Sequence, residues 1–278
     1  MLIRQPAVAG MFYNLNPEML KKQIRRCFEH ELGPKKIKEE KLVGCVVPHA
    51  GYTYSGPVAA WVYSKIPKCN YVILGPNHRV FGSTFGIMKE GVWKTPLGSV
   101  KIDDKFATKL IENCSLLEYD IISHKSEHSI EVQLPFLQYR FGEDFKFVPV
   151  SVMNELPSFD FLEECKIVGK AIANIIKKEK NQWIIIASSD FSHYIPYDFA
   201  YSTDNYVIDA ILKLNEKEFF SRIQEKNASI CGFGPIVISM IISKILGAKE
   251  GKLLKYATSG DVVPDKGAVV GYASIILE

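Results

Sequence analysis

The sequence predicts an α/β protein with a central mixed, largely parallel sheet flanked by helices. Apolar runs of strand length alternate with segments of helical periodicity along most of the chain, as in sheets that helices cover on both faces. The composition, with 47% hydrophobic and 23% charged residues, is typical of a globular protein. The length of 278 residues allows one large domain or two small ones.

Charge and hydropathy argue against two classes of partner. The net charge is +3, and the lysines are scattered among acidic residues without forming a basic stripe, so we expect no nucleic-acid partner. No apolar run reaches about 18 residues, the length that a membrane-spanning helix needs, and the start lacks the layout of a signal peptide. We therefore expect a cytoplasmic protein that does not associate with membranes.

The cysteines indicate neither a disulfide framework nor a zinc knuckle, because they occur singly and form no CxxC pair. Most are expected to be small residues of the core. Their positions are Cys27, Cys45, Cys69, Cys114, Cys165 and Cys231.

The first predicted helix is followed by a buried strand. Asn16 is expected to cap a helix that has Pro17 at its first position and runs to about His30, with its apolar residues in one stripe. The apolar run 43–47 then predicts a strand that ends just before His49.

The second unit repeats this design. A short buried strand at 71–74 is followed by turn residues and by His78. The segment 86–106 predicts a β-excursion with two tight turns, after which Asp103 or Asp104 caps a helix.

The segment 126–141 predicts a helix that is kinked or restarted at Pro135. On such a helix His128 and Glu131, three residues apart, share one face. The remaining predicted elements are strands at 145–150, 183–187, 253–257 and 268–277, and helices at 159–176, 198–223 and 236–246.

Ionisable residues follow three of the strongest strand patterns: His49, His78, and Asp190 with His193. The carboxyl ends of neighbouring parallel strands lie along one edge of a sheet, so these side chains are expected to converge there. Two histidines and a third donor form a common metal site. A carboxylate or water as third donor suits Fe(II) or Zn(II), and a thiolate favours zinc, Cu(I) or thiolate-bound iron.

Cys231 is the candidate third donor, since it precedes a predicted helix whose N-terminus would lower the thiol pKa. Its position alone favours the alternative of an inert core cysteine. His49 and His78 can also be structural histidines that bond turn backbone.

Asp190 and His193 allow two interpretations. They can form a general base oriented by a carboxylate, or an N-cap at Asp190 or Ser192 beside a surface histidine. Glu127, His128 and Glu131 either support the site or lie on an ordinary helix face. His30 and His124 receive no role. The spacing of a phosphate loop and the GxSxG elbow are both missing, which disfavours a nucleotide enzyme and a serine hydrolase.

Seven motifs spread along the chain are RQPAVAGMFY, VVPHAGYTYSGPVAA, LGPNH, EHSIEVQLPF, SSDFSHY, CGFGP and GDVVPDKGAVVGYAS. In this order they resemble the Memo family, and in particular its archaeal members. This resemblance extends over nearly the whole chain and implies one α/β domain, residues 1–278, with a fold similar to the class III extradiol dioxygenases.

By this resemblance, the family's metal positions fall on His49, His78 and Cys231, and its acid/base position falls on His193 beside Asp190. The dioxygenases carry a glutamate where Cys231 stands, and a thiolate there argues against catechol dioxygenase activity. The implied cofactor is iron or copper, with zinc allowed by the donor set. Eukaryotic members are linked to motility signalling and phosphotyrosine-peptide binding.

The leading hypothesis is therefore a metal-dependent redox protein that acts on a small molecule or peptide. The alternatives are a non-catalytic ligand- or peptide-binding protein that uses His49, His78 and His193, and a metal-dependent hydrolase in which Asp190 and His193 activate water. Tyr52 and Tyr54, in the turn after His49, either line the crevice or pack the loop.

Overall fold

The computed structural model describes residues 2–154 and 156–278, which form a single α/β domain around one sheet. The strands are β1 (Ile3–Arg4), β2 (Gly44–Val47), β3 (Asn70–Pro76), β4 (Phe85–Ile87), β5 (Val92–Thr95), β6 (Gly98–Ile102), β7 (Glu118–Tyr119), β8 (Lys146–Val152), β9 (Trp183–Ser188), β10 (His193–Ile195), β11 (Gly251–Thr258) and β12 (Val269–Leu277). The α-helices are α1 (Pro17–Glu29), α2 (Gly56–Tyr63), α3 (Asp104–Asn113), α4 (Ile122–Lys125), α5 (Leu134–Phe141), α6 (Phe159–Ile176), α7 (Tyr197–Leu212), α8 (Glu216–Lys226) and α9 (Phe233–Ile245).

The sheet is mixed, with a parallel centre, which confirms the predicted fold class. The strand order is β1-β5-β6-β8-β3-β9-β2-β12-β10, and β4, β7 and β11 pair outside this path. The run β6-β8-β3-β9-β2 is parallel throughout, whereas β12 pairs antiparallel with β2, β10 and β11. The central strands are buried on both faces, as the apolar runs predicted.

Helices cover both faces of this centre. Helix α9 packs on β9, β2 and β3 and contacts α6, while α2 packs on β12 and β2 and contacts α1. Helix α9 is apolar on nearly every side because it lies between the sheet and α6. Within the described residues, no helix is long and apolar enough to cross a membrane.

The helix caps follow the predicted local chemistry. The side chain of Asn16 accepts a hydrogen bond from the backbone N–H of Met19, and Pro17 opens α1. Asp103 caps α3 in the same way by accepting from Phe106.

Two predicted helices differ from the structure. In the segment 126–141 the predicted restart at Pro135 is present, because α5 begins at Leu134. Before it only a short 3₁₀ turn (Glu131–Gln133) is helical, so His128 precedes the helix and shares no face with Glu131. The segment 198–223 is broken into α7 and α8, and Leu214 between them has φ of 50°.

Candidate metal centre

His49, His78 and Cys231 come together at one edge of the sheet. Their donor atoms all lie within 4.8 Å of one another, and His49 Nε2 is 3.3 Å from Cys231 Sγ. The strand order explains why His49 and His78 meet, because their strands β2 and β3 both flank β9, whereas Cys231 comes from the loop before α9. His49, His78 and Asp190 each follow the last residue of one of these strands by two positions. The predicted convergence of His49, His78 and Asp190 is therefore present, and Cys231 joins them from a different loop.

This donor geometry fits a metal ion. With metal–nitrogen bonds of about 2.0–2.1 Å and a metal–sulfur bond of about 2.3 Å, tetrahedral ligands lie about 3.3–3.6 Å apart. The distance between His49 Nε2 and Cys231 Sγ matches this spacing, and small side-chain shifts would bring His78 into it. Two imidazoles and a thiol suit zinc, copper and iron.

His49 is buried and held at two points. Its backbone N–H donates to Asp190 Oδ1 (2.8 Å), and its Nδ1 lies 2.8 Å from Ser188 Oγ. Burial, and then the nearby His78 and His128, hold the pKa of His49 well below its usual range. The ring is therefore neutral at neutral pH, which is the form that binds metals.

Glu127 holds His78 and also His128. Its carboxylate lies 3.0 Å from His78 Nδ1 and 3.2 Å from His128 Nδ1, and it accepts the backbone N–H groups of both histidines and of Ser129. Burial alone would raise the pKa of Glu127, but the hydrogen bonds from the histidines bring it well below its usual range. Glu127 is therefore ionised, and it orients the two rings.

His128 belongs to this cluster, although the sequence left its role open. Its ring stacks on His78 with centroids 4.8 Å apart, and it packs against Phe12. His78, Glu127 and His128 are also close enough together to be metal ligands. Five nitrogen atoms already surround the carboxylate of Glu127, which favours a supporting role for that residue. The dipeptide Glu-His in the EHSIEVQLPF motif was the available signal.

The surroundings of Cys231 contradict the expected low thiol pKa. Burial and the neighbouring Asp190 carboxylate raise the pKa of Cys231 well above its usual value. The loss of hydration outweighs the helix N-terminus, so the thiol is protonated at neutral pH, and a bound metal ion would have to displace this proton. The backbone N–H of Asp190 lies 3.3 Å from Cys231 Sγ, and the amide of Asn154 donates to the Cys231 carbonyl.

Gly232 brings the cysteine loop against the end of β9. A Cβ atom at this position would lie 2.4 Å from Ser189 Cβ and 2.5 Å from the Ser188 carbonyl oxygen, so no larger residue fits without moving the backbone. Its N–H donates to Ser189 Oγ at 3.0 Å. The glycine after Cys231 therefore sets the distance between the sulfur and the strand ends.

Asp190 and His193 do not form the expected hydrogen-bonded pair. His193 lies on β10, where its N–H donates to Ser229 Oγ (2.8 Å) and its Nδ1 is 2.7 Å from the Ser229 carbonyl oxygen. Asp190 is buried and binds the His49 backbone, so neither of its predicted roles, as an N-cap or as the residue that orients His193, is present. Burial raises the pKa of Asp190, and His193 acts in the opposite direction.

The structure shows the contacts of four further residues whose roles the sequence did not decide. Tyr52 is buried and its hydroxyl donates to the Val132 carbonyl, so it packs the loop, whereas Tyr54 is 41% exposed. His124 is buried, with Nε2 3.1 Å from the Gly86 carbonyl, and burial lowers its pKa to about 4. Glu131 binds Arg4 and is separate from the histidine cluster.

A buried carboxylate anchors the loop that carries Asp190 and His193. Asp204 accepts from the hydroxyl of Ser192 (2.5 Å) and from the hydroxyl of Tyr256 (2.6 Å). Burial raises the pKa of Asp204 to about 6, although these hydrogen bonds oppose the shift.

Asp204 is expected to make the free energy of unfolding fall as pH rises from about 4 to about 6. In this range the unfolded chain has already lost the proton that the folded protein still holds, and the total loss is on the order of 3 kcal/mol. Urea unfolding across this pH range should show a smaller fall in Asp204→Asn than in the parent protein. Equal falls in both proteins would contradict the assignment.

Comparison with known proteins places the chain in a family. A sequence model described as Memo-like protein matches residues 4–276. The chain is 47% identical over 282 residues to a MEMO1 family protein of Methanopyrus kandleri, covering 98% of each protein. It is 47% identical over 279 residues to one of Methanosarcina barkeri, covering 99% of this chain and 100% of the relative. It is 44% identical over 290 residues to one of Methanocaldococcus jannaschii, covering 99% of each. The dioxygenase-like fold is consistent with these archaeal relatives, and the chain belongs to the Memo family.

Proposed function

We propose that this protein is a metal-dependent redox protein whose His49, His78 and Cys231 hold iron or copper in a dioxygenase-like crevice. The convergence of two imidazoles and a thiol at one edge of the sheet carries the proposal. The same donor set accommodates zinc. The substrate would be a small molecule or a peptide that reaches the partly exposed His78 side of the cluster.

The surrounding residues supply orientation and proton transfer. A bound iron or copper would provide redox chemistry and a coordination position for substrate. Glu127 holds the ring of His78, and Asp190 holds the backbone of His49. The Nδ1–H of His193 donates to the Ser229 carbonyl, which leaves Nε2 to accept a proton from a substrate or return it.

Metal analysis tests the proposal. The parent protein, reconstituted without oxygen with Fe(II) or Cu(I) and then desalted, is expected to retain about one metal ion per chain. His49→Ala and Cys231→Ser should lose it. Cys69→Ser is the matched control, because Cys69 precedes the amino end of β3, at the opposite edge of the sheet.

Two outcomes would contradict the proposal: a parent protein that retains no metal, or a Cys231→Ser variant that binds as tightly as the parent. If the protein binds a small molecule or peptide with the same affinity before and after a chelator is added, the result would instead support the non-catalytic binding alternative.

A further inference from the structure

A buried polar chain lies behind His49, on the side away from Cys231. Ser188, the last residue of β9, places its hydroxyl 2.8 Å from His49 Nδ1. The same oxygen lies 2.7 Å from the Ser129 carbonyl oxygen and 2.8 Å from Gln133 Nε2. These side chains are at most 2% exposed, so each proton in the chain must find a protein acceptor.

The positions of the protons follow from the chemistry of these groups. The Ser129 carbonyl can only accept, so the single hydroxyl proton of Ser188 is directed to it. The amide of Gln133 donates to the same hydroxyl oxygen. Because the hydroxyl proton of Ser188 is donated to the Ser129 carbonyl, Ser188 can only accept a hydrogen bond from His49. The proton between them therefore lies on His49 Nδ1.

The amide of Gln133 has one satisfactory orientation. Its Nε2 carries two protons, which are directed to the Pro48 carbonyl (3.1 Å) and to Ser188 Oγ (2.8 Å). Its Oε1 accepts the hydroxyl proton of Tyr63. A flipped amide would place its oxygen against the Pro48 carbonyl oxygen, so Gln133 can only donate to Ser188 Oγ. This hydrogen bond fills one lone pair of the hydroxyl oxygen and fixes its position, and the Ser129 carbonyl takes the proton, which leaves the second lone pair for His49 Nδ1–H.

We infer that Ser188 and Gln133 are positioning residues that hold His49 in the Nδ1–H tautomer, so that Nε2 is the ring nitrogen left for a metal. Neutral imidazole in water favours the opposite, Nε2–H form, so the protein must impose this state. His49 is thus positioned through a neutral hydroxyl and His78 through the Glu127 carboxylate, which gives the two donors different basicities. Only the metal-binding consequence rests on the proposed function.

Long-range proton–nitrogen NMR of the metal-free protein, with ¹⁵N-labelled histidine and the His49 signals assigned from a His49→Gln variant, reads the tautomer directly. The parent protein is expected to show a protonated Nδ1 and an unprotonated Nε2 at neutral pH. Ser188→Ala should shift His49 toward the Nε2–H form. Gln133→Met, which removes the donor that fixes the Ser188 oxygen, should shift His49 in the same direction by less.

Metal affinity provides a second measurement. Ser188→Ala is expected to bind Fe(II) or Cu(I) about 10–100-fold more weakly than the parent. Ser274→Ala is the matched control, since Ser274 is equally buried and its hydroxyl donates to the Val58 carbonyl at 2.6 Å, away from His49. The control should change neither the tautomer nor the affinity.

An Nε2–H tautomer of His49 in the parent protein would overturn the inference, and this test needs no variant to fold. An unchanged His49 tautomer in a folded Ser188→Ala variant would overturn it as well. A parent protein with the Nδ1–H tautomer that binds no metal would support the positioning role and refute the proposed function, so the two failures are distinguishable.

Discussion

Replacing Glu131 with glutamine is expected to lower the free energy of unfolding by about 3–5 kcal/mol. Glu131 is fully buried, and it accepts hydrogen bonds from Arg4, from the backbone N–H groups of Ala7 and Val8, and from the Tyr13 hydroxyl. Glutamine removes the charge, so the buried guanidinium of Arg4 is left without its counterion. Urea unfolding at neutral pH measures the change.

A surface ion pair is the matched control for this measurement. Glu18 pairs with Lys21 at 3.0 Å on α1, where both side chains are exposed, and Glu18→Gln should cost less than about 0.5 kcal/mol. Adding Arg4→Met to Glu131→Gln removes the unpaired charge and should restore part of the stability. If Glu131→Gln lowers the free energy of unfolding by less than about 1 kcal/mol, the Arg4–Glu131 ion pair does not stabilise the contact of residues 4–13 with the domain.

Replacing Glu127 with glutamine is expected to weaken metal binding by about 10–100-fold. The carboxylate holds the Nδ1 atoms of His78 and His128 and three backbone N–H groups, and it is ionised although it is buried. Both rings contact Oε1, and the backbone N–H of His78 donates to Oε2. An amide has a single acceptor oxygen, so its NH₂ group would face either this N–H or the groups at Oε1, and His78 would shift in both cases. Competition with a chromophoric chelator measures the affinity.

Glu118→Gln is the control for this second experiment. Glu118 is an exposed carboxylate that accepts one hydrogen bond from the Ser83 hydroxyl at 2.9 Å, and its replacement should leave the affinity unchanged. An affinity of Glu127→Gln within about twofold of the parent would argue that Glu127 does not orient a metal-binding histidine.

Much of the fold could be predicted because its signals are local. The apolar run that became β9 and the stripe of α6 each lie within one segment, and the cap at Asn16 depends on neighbours a few residues away. The strand ends before His49 and His78 are local signals of the same kind. Their placement at one edge required only that the strands be parallel neighbours.

Local periodicity failed where tertiary contacts override it. The segment around Glu131 has helical spacing, yet Glu131 contacts Arg4, more than a hundred residues away in sequence, while Glu127 and His128 contact His78. A backbone that directs Glu131 and His128 to different partners does not continue as one regular helix through both. Sequence spacing carries no record of such distant partners.

The sequence by itself determined the family, the alternation of strands and helices, and the three donor residues proposed for the metal. Only the tertiary structure decided that Ser229 orients His193, that Ser188 and Gln133 stand behind His49, and that burial raises the pKa of Cys231. The physical reason is that strand and helix patterns arise from neighbouring residues. Tautomers, ionisation and ligand orientation instead depend on burial and hydrogen bonds between segments that meet only when the sheet is assembled.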